Sequence, residues 1–308
     1  MSVTTAELEA FFQKVSQGCV LALPAESPLL ERLPEGTTHV TVASQTCDVV
    51  LPKRPTVIVA PVVTLTGDLE KSAARRDNPQ FVPLPSCGQQ SYADLAYLQA
   101  VLKADLFGLD VVPGIDSTND EMVRTFGLSV GRWFSRFAFP DDLTPWLSPL
   151  VDAIREKYHH PASPLGMCLH DVVEIRVEAE SWSMRPLNVT LHVVIRAGVI
   201  PEPIESDRPD TKLVDLAHDA EGYIRTPAEV AKLVIEAKDG KAKATLWSLL
   251  ADSLAAYCVP KKKLTSTDAL RTVAGIVAEL WTDDTFPLSR VRKSELLDVD
   301  YLSTGYPL

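Results

Sequence analysis

Apolar positions recur with a helical period at the start of the chain. Leu8, Phe11, Phe12 and Val15 share one face of a helix expected over Thr5 to Val15. The pattern then changes to short β-branched runs. Cys19 to Leu23, Val40 to Ala43, Thr56 to Val63 and Phe81 to Leu84 read as strands. A Pro-rich loop over residues 24–38, a Pro52-Lys53-Arg54-Pro55 turn and a polar loop from Gly67 to Pro79 separate them. Together they predict a small, mostly antiparallel β unit.

Helical spacing returns at Tyr92 to Leu106, Glu121 to Phe137 and Leu143 to Tyr158. Alternation with period two follows in Asp171 to Ala179 and Asn188 to Arg196, which predicts an antiparallel hairpin. Pro201 to Asp219 is acidic and Pro-containing and reads as a linker. Thr226-Pro227-Ala228-Glu229 is a capping box with Pro at the first helical position, so a helix starts there and ends at Asp239-Gly240. Further helices are expected over Lys243 to Cys258 and Asp268 to Trp281. The pattern is that of an α+β protein with three parts. Residues 1–90 form a small β-barrel domain with an N-terminal helix, residues 91–200 a helical and β-hairpin region, and residues 201–308 a mostly helical region.

The chain has 308 residues, 46% of them hydrophobic, which is enough for a full core and for two lobes. The net charge of −11 disfavours non-specific nucleic-acid binding, which depends on neutralising phosphates. Five cysteines, Cys19, Cys47, Cys87, Cys168 and Cys258, are odd in number and widely spaced. That usage suits a reducing cytoplasm and argues against a structural metal site, so no metal or other cofactor is expected. The N-terminus lacks the marks of a signal peptide, and no apolar run reaches the length of a membrane span.

One polar kernel interrupts the β-rich stretch: Ser44-Gln45-Thr46-Cys47-Asp48. Polar groups beside buried strands must find partners, so such a cluster is either a tied-down turn or a site. Cys47 and Asp48, with His170 and Asp171 at the head of a later strand, contain the thiol, base and orienting group of a cysteine nucleophile. Ser44 and Gln45 could contact a ligand. The plainer alternative makes Cys47 a small packing residue in a turn, and it outweighs the nucleophile.

Arg132 and Arg136 lie four apart on one helix face and could grip a carboxylate or phosphate. Asp141 and Asp142 follow directly, so internal ion pairing is the competing and favoured reading. Glu236-Ala237-Lys238 imitates the E-x-K of restriction-type nucleases, with Pro209-Asp210 upstream. That motif needs a strand, and the Thr226 capping box places these residues on a helix instead. His159-His160 marks a helix end, Lys261 to Lys263 a solvated charge run, and Glu295, Asp298 and Asp300 solvated or paired tail carboxylates. Phosphate-loop, GxSxG and HExxH motifs do not occur.

The segments SQTCDVV (44–50), RWFSRFAFPDDL (132–143) and LLDVDYLS (296–303) resemble the shared marks of an uncharacterised group of bacterial proteins. The resemblance covers nearly the whole chain and implies an accessory protein of the phage-defence kind. Residues 18–65 are similar to MazF/PemK-type toxins in their order of short strand, long loop, strand, Arg-Pro turn and VIVAPVVTL. That likeness implies an SH3-like barrel, without the toxins' basic Gly-rich loop and with the Arg-Pro displaced. The leading expectation is a cytoplasmic accessory protein that binds a protein partner or ligand through the barrel and the Arg132/Arg136 face. An enzyme, either a Cys47-dependent hydrolase or an RNA-cleaving barrel, is the alternative. A regulatory nucleic-acid binder is the third.

Overall fold

The computed structural model describes residues 4–74, 78–135, 137–201, 211–260 and 271–297. The chain divides into two compact units, the first running to Arg136 and the second beginning at Phe137. The protein is α+β, with one sheet in each unit.

The first unit opens with α1 (Thr5–Phe12), whose Thr4 and Glu7 complete a capping box. It continues through β1 (Cys19–Ala22), β2 (His39–Val42), α2 (Thr46–Val50), β3 (Thr56–Thr64), α3 (Gly67–Ala74), β4 (Phe81–Pro83) and β5 (Ser91–Asp94). Then come β6 (Gln99–Leu102), α4 (Lys103–Leu106), β7 (Val111–Pro113) and α5 (Asp120–Ser135). The seven-stranded sheet runs β4-β5-β3-β2-β1-β7, with β6 also on β3. Ladder pairing does not join β4 to β7, so the barrel expected from the sequence does not close.

Both faces of this sheet are covered. Leu21, Val40, Val42, Val57 and Val59 pack with Phe12, Val49 and Leu106 on one side. Val20, Ala60, Val82 and Ala93 pack with Phe126 and Val130 of α5 on the other. Two-sided burial accounts for the nearly continuous apolar run of β3.

Two further expectations fail in this unit. The helix expected over Tyr92 to Leu106 is β5, a 3-10 turn at Leu95–Tyr97, β6 and the single turn of α4. Ala93 pairs with Val62 and Gln99 with Val59, so β5 and β6 act as one interrupted strand along β3. The extra residues are looped out in the turn, which Asp94 caps by accepting from the Ala96 N–H at 3.0 Å. The apolar spacing satisfied a helix as well as this broken strand, and the open edge of β3 decided between them. The polar loop expected from Gly67 contains α3, which buries Ala73.

The second unit begins with α6 (Thr144–Tyr158) and α7 (Pro164–Leu169), then the expected hairpin of β8 (Val172–Ala179) and β9 (Leu187–Ile195). After α8 (Thr211–Ala217), the Thr226 capping box starts α9 (Pro227–Glu236), and α10 (Gly240–Ala256) follows. The helix expected from Asp268 to Trp281 is instead β10 (Val273–Thr282), parallel to β9 over its whole length. Residues 268–270 lie outside the described residues. Val273, Ile276 and Val277 favour strand, and β9, buried continuously from Leu191 to Ile195, needs a ladder partner on each side. A short α11 (Leu288–Val291) leads to β11 (Ser294–Leu296), giving the order β10-β9-β8-β11. The C-terminal region is therefore mixed rather than mostly helical. One face of this sheet packs on the helices around Leu150, Ile175, Leu191, Val193 and Trp247.

Candidate functional site

The polar kernel is built into α2 and the turn before it. The Ser44 hydroxyl accepts from the Ile58 N–H at 2.8 Å, and the Thr46 hydroxyl from the Gln17 N–H at 3.0 Å. Gln45 occupies the N-cap of α2, and its side-chain Oε1 accepts from the Cys47 thiol at 3.7 Å. Asp48 pairs with Arg54 at 3.1 Å. Beneath the helix end Lys103, 3% exposed, donates to the carbonyls of Leu51 at 2.9 Å and Asp48 at 3.5 Å, with its ammonium over the Phe12 ring. Burial lowers its pKa, against an opposing pull from Asp48. Each polar group here holds the turn or the end of the helix.

Cys47 and Asp48 belong to the first unit, His170 and Asp171 to the second. The exposed Cys47 has Gln45, not a base, as its hydrogen-bond partner. His170 is exposed, its ring 4.5 Å from that of Tyr158, and its carbonyl accepts from Arg196 at 3.3 Å. The nearby Cys168 is buried and its thiol is pushed up to about 12, by burial first and the Asp171 charge second. Burial drives Cys258 to about 12 as well. Both are poor nucleophiles at neutral pH.

Arg132 lies on α5, and Arg136 lies outside the described residues. The pairing expected between these arginines and the following aspartates does not account for Asp142. Its carboxylate forks with Arg185 at 2.6 and 2.8 Å, and that pairing holds its pKa low despite some burial. Asp142 precedes α6, and the loop between β8 and β9 supplies the arginine. Glu236 ends α9 and sits 3.8 Å from Lys232 one turn back, as a helix rather than a nuclease strand requires. Pro209-Asp210 lies outside the described residues. Among the described residues no group of three or more His, Cys, Asp and Glu side chains is placed to hold a metal ion. None of their helices is long and apolar enough to cross a membrane.

Arg132 does contribute to a cavity. A groove of about 260 Å³ runs between α5 and β4 with its flanking loops. Val82, Ile115, Met122 and Phe126 form its apolar floor, and Pro79, Pro83 and Pro85 stiffen the opposite wall. Along α5, Glu121, Thr125, Ser129 and Arg132 form its polar side, each about one turn from the next. An apolar concavity with a few convergent polar groups is the usual form of a binding site. Sequence reasoning placed Arg132 on a ligand-facing helix but missed the opposite wall. The prolines of FVPLP are visible in the sequence. Their packing opposite α5 is not.

A second polar cluster lies in the other unit, on the sheet face opposite the core that packs on α6, α7, α9 and α10. Arg176, His192 and Glu279 are direct cross-strand neighbours on β8, β9 and β10. His192 is fully buried. Its Nε2 is 2.9 Å from Glu178, and its Nδ1 accepts the Trp281 indole N–H at 3.3 Å, which places the ring proton on Nε2. Glu279 Oε2 is 3.3 Å from the same Nδ1 but gains no hydrogen bond, because that nitrogen offers a lone pair. Arg290 of α11 donates to both oxygens of Glu178 at 3.0 and 3.1 Å. Burial alone would raise Glu178, but the bonds from His192 and Arg290 outweigh it and hold its pKa below the usual carboxylate value. The chemistry of this cluster is turned inward and fastens α11 to the sheet. It went unnoticed in the sequence because Glu279 and Trp281 were placed on a helix, although strand alternation already put Arg176 and Glu178 on one face.

No protein-family model, curated protein or solved structure matches this chain.

Proposed function

We propose that this protein is a binding component that holds a protein partner in the groove between β4 and α5. The observation that carries this reading is the groove itself: an apolar floor, a stiff proline wall and a polar stripe on one helix. The kernel around Cys47 supports the same choice, because its groups are engaged in holding α2. An accessory role in a phage-defence assembly is the setting implied by the resemblance of SQTCDVV and RWFSRFAFPDDL. Five free thiols, Cys47 among the exposed residues, suit a reducing cytoplasm.

The test fills the groove. Ser129→Trp puts an indole on its polar side. Affinity capture with the full chain should recover a defined partner with wild type and lose it with Ser129→Trp at an unchanged melting temperature. Titration of the purified partner should then show a Kd at least about tenfold weaker, a loss of some 1.4 kcal/mol. A filled groove that retains partner and affinity would overturn the reading.

A further inference from the structure

Phe81, Val82 and Pro83 all line the groove, although consecutive residues of a strand point to opposite faces. A cavity that touches three in a row must reach the edge of the strand. β4 is the last strand of its sheet, so one edge has no ladder partner. The register tells which backbone groups lie there. Leu84 N–H donates to Ser91 and Leu95 N–H to Gln80, both at 2.9 Å, so Gln80, Val82 and Leu84 face β5. Phe81 and Pro83 therefore point their backbone groups outward. Pro83 has no N–H, and the Phe81 N–H donates to Asn78 at 3.3 Å. The open edge thus presents two carbonyls, two residues apart, and no spare donor. Among the described residues, neither carbonyl nor the Glu121 carboxylate receives a hydrogen bond outside the ladder.

Charge is also divided along the groove. Glu121 stands near the start of α5 and Arg132 near its end, eleven residues later, which is roughly 16 Å along a helix. The first and fifth residues of an extended peptide lie roughly 13 Å apart, at about 3.3 Å per step, and long side chains at both ends span the remaining few ångströms. Arg132 already has an interaction partner, and its guanidinium carries five N–H donors.

Building on the groove reading above, we infer that the occupant is an extended peptide segment of the partner with a basic side chain at one end, an apolar residue in the middle and an acidic side chain at the other. The basic group meets Glu121, the acidic group meets Arg132, and the apolar residue seats on Met122 and Phe126. Alternate amide N–H groups of the segment donate to the carbonyls of Phe81 and Pro83. This is a donor-only version of strand addition. Pro83 blocks the reciprocal bonds that would let an arbitrary strand extend the sheet.

The test uses the full chain and three capped, fluorescent five-residue peptides: Lys-Ala-Phe-Ala-Glu, its reverse Glu-Ala-Phe-Ala-Lys, and neutral Gln-Ala-Phe-Ala-Gln. At low salt at least one charged peptide should bind about tenfold more tightly than the neutral one. Glu121→Gln should erase the advantage of the lysine, and Arg132→Gln that of the glutamate. N-methylation at residues two and four, or else at three and five, should weaken binding about tenfold in one series only, since one set of amides faces β4. Equal binding of charged and neutral peptides, no binding of any, or no response to either methylation series would overturn the inference. Ser129→Trp separates the two levels. If it abolishes binding of charged and neutral peptides that wild type holds equally well, the groove reading stands and the charge assignment falls. If it leaves peptide binding intact, the groove reading falls.

Discussion

The kernel around α2 and the groove along α5 belong to the same unit, and both bring hydroxyls, a carboxylate and a cationic side chain together. In the kernel, Ser44 and Thr46 accept backbone N–H groups, Asp48 meets Arg54, and Lys103 caps the carbonyls at the helix end. In the groove, the carboxylate of Glu121 and the outward carbonyls of β4 receive no such bonds among the described residues. Polar density alone therefore does not mark a site. A kernel whose groups satisfy one another is structure, whereas groups that face solvent around an apolar concavity can accept something else. The contrast makes opposite predictions: kernel variants should change stability, and groove variants should change binding.

The largest effect is expected at Lys103. Lys103→Ala removes a buried donor from the Leu51 carbonyl and leaves a cavity, and should cost about 2–4 kcal/mol, measured by chemical denaturation. Lys103→Met keeps the packing of the stem and should recover part of that loss. The pH dependence has a defined sign. Burial holds the folded pKa of Lys103 below its unfolded value of about 10.4. Between those two values the unfolded chain binds more protons. Wild type should therefore gain stability relative to Lys103→Met as pH rises through that window. A flat difference would mean that Lys103 is not the buried cation of the kernel.

Next in size is Glu178→Gln in the second unit, expected to cost about 1–3 kcal/mol because it weakens the bonds from Arg290 and His192. Since the folded pKa of Glu178 is depressed, its contribution is complete above its unfolded value of about 4.3 and is lost as pH falls through the folded value. Acid melting curves of wild type and Glu178→Gln should converge there. Thr226→Ala should cost about 1 kcal/mol by removing the capping box of α9. At the small end, Cys47→Ser and Glu121→Gln should each change stability by less than about 0.5 kcal/mol. Only Glu121→Gln should alter binding. A Cys47→Ser variant that keeps its fold but loses its partner would reverse the contrast between kernel and groove.

The elements the sequence made legible are those whose period or cap is local. The Thr226 capping box, the β8–β9 alternation and the amphipathic α5 form close to where the pattern places them. The misread segments have their structure decided by distant partners. Leu95, Leu98 and Val101 fit a helix until β3 offers its edge. Val273 to Thr282 becomes strand because β9 needs a neighbour. The groove was half legible for the same reason. Arg132 could be placed on a helix face, but Pro79, Pro83 and Pro85 take their meaning from packing opposite it.

The parallel pairing of β10 with β9 also bears on how the molecule is made. Every strand of the first sheet is drawn from residues 19–113, so that sheet can assemble as soon as this stretch leaves the ribosome. The second sheet cannot. β8 and β9 are complete by Ile195, yet their outer neighbours begin only at Val273 and Ser294. Throughout that interval of synthesis the backbone edge of β9 that later pairs with β10 has no ladder partner. The nascent second unit is therefore the stage of this protein's life most exposed to mispairing, and the stage at which a chaperone would matter most.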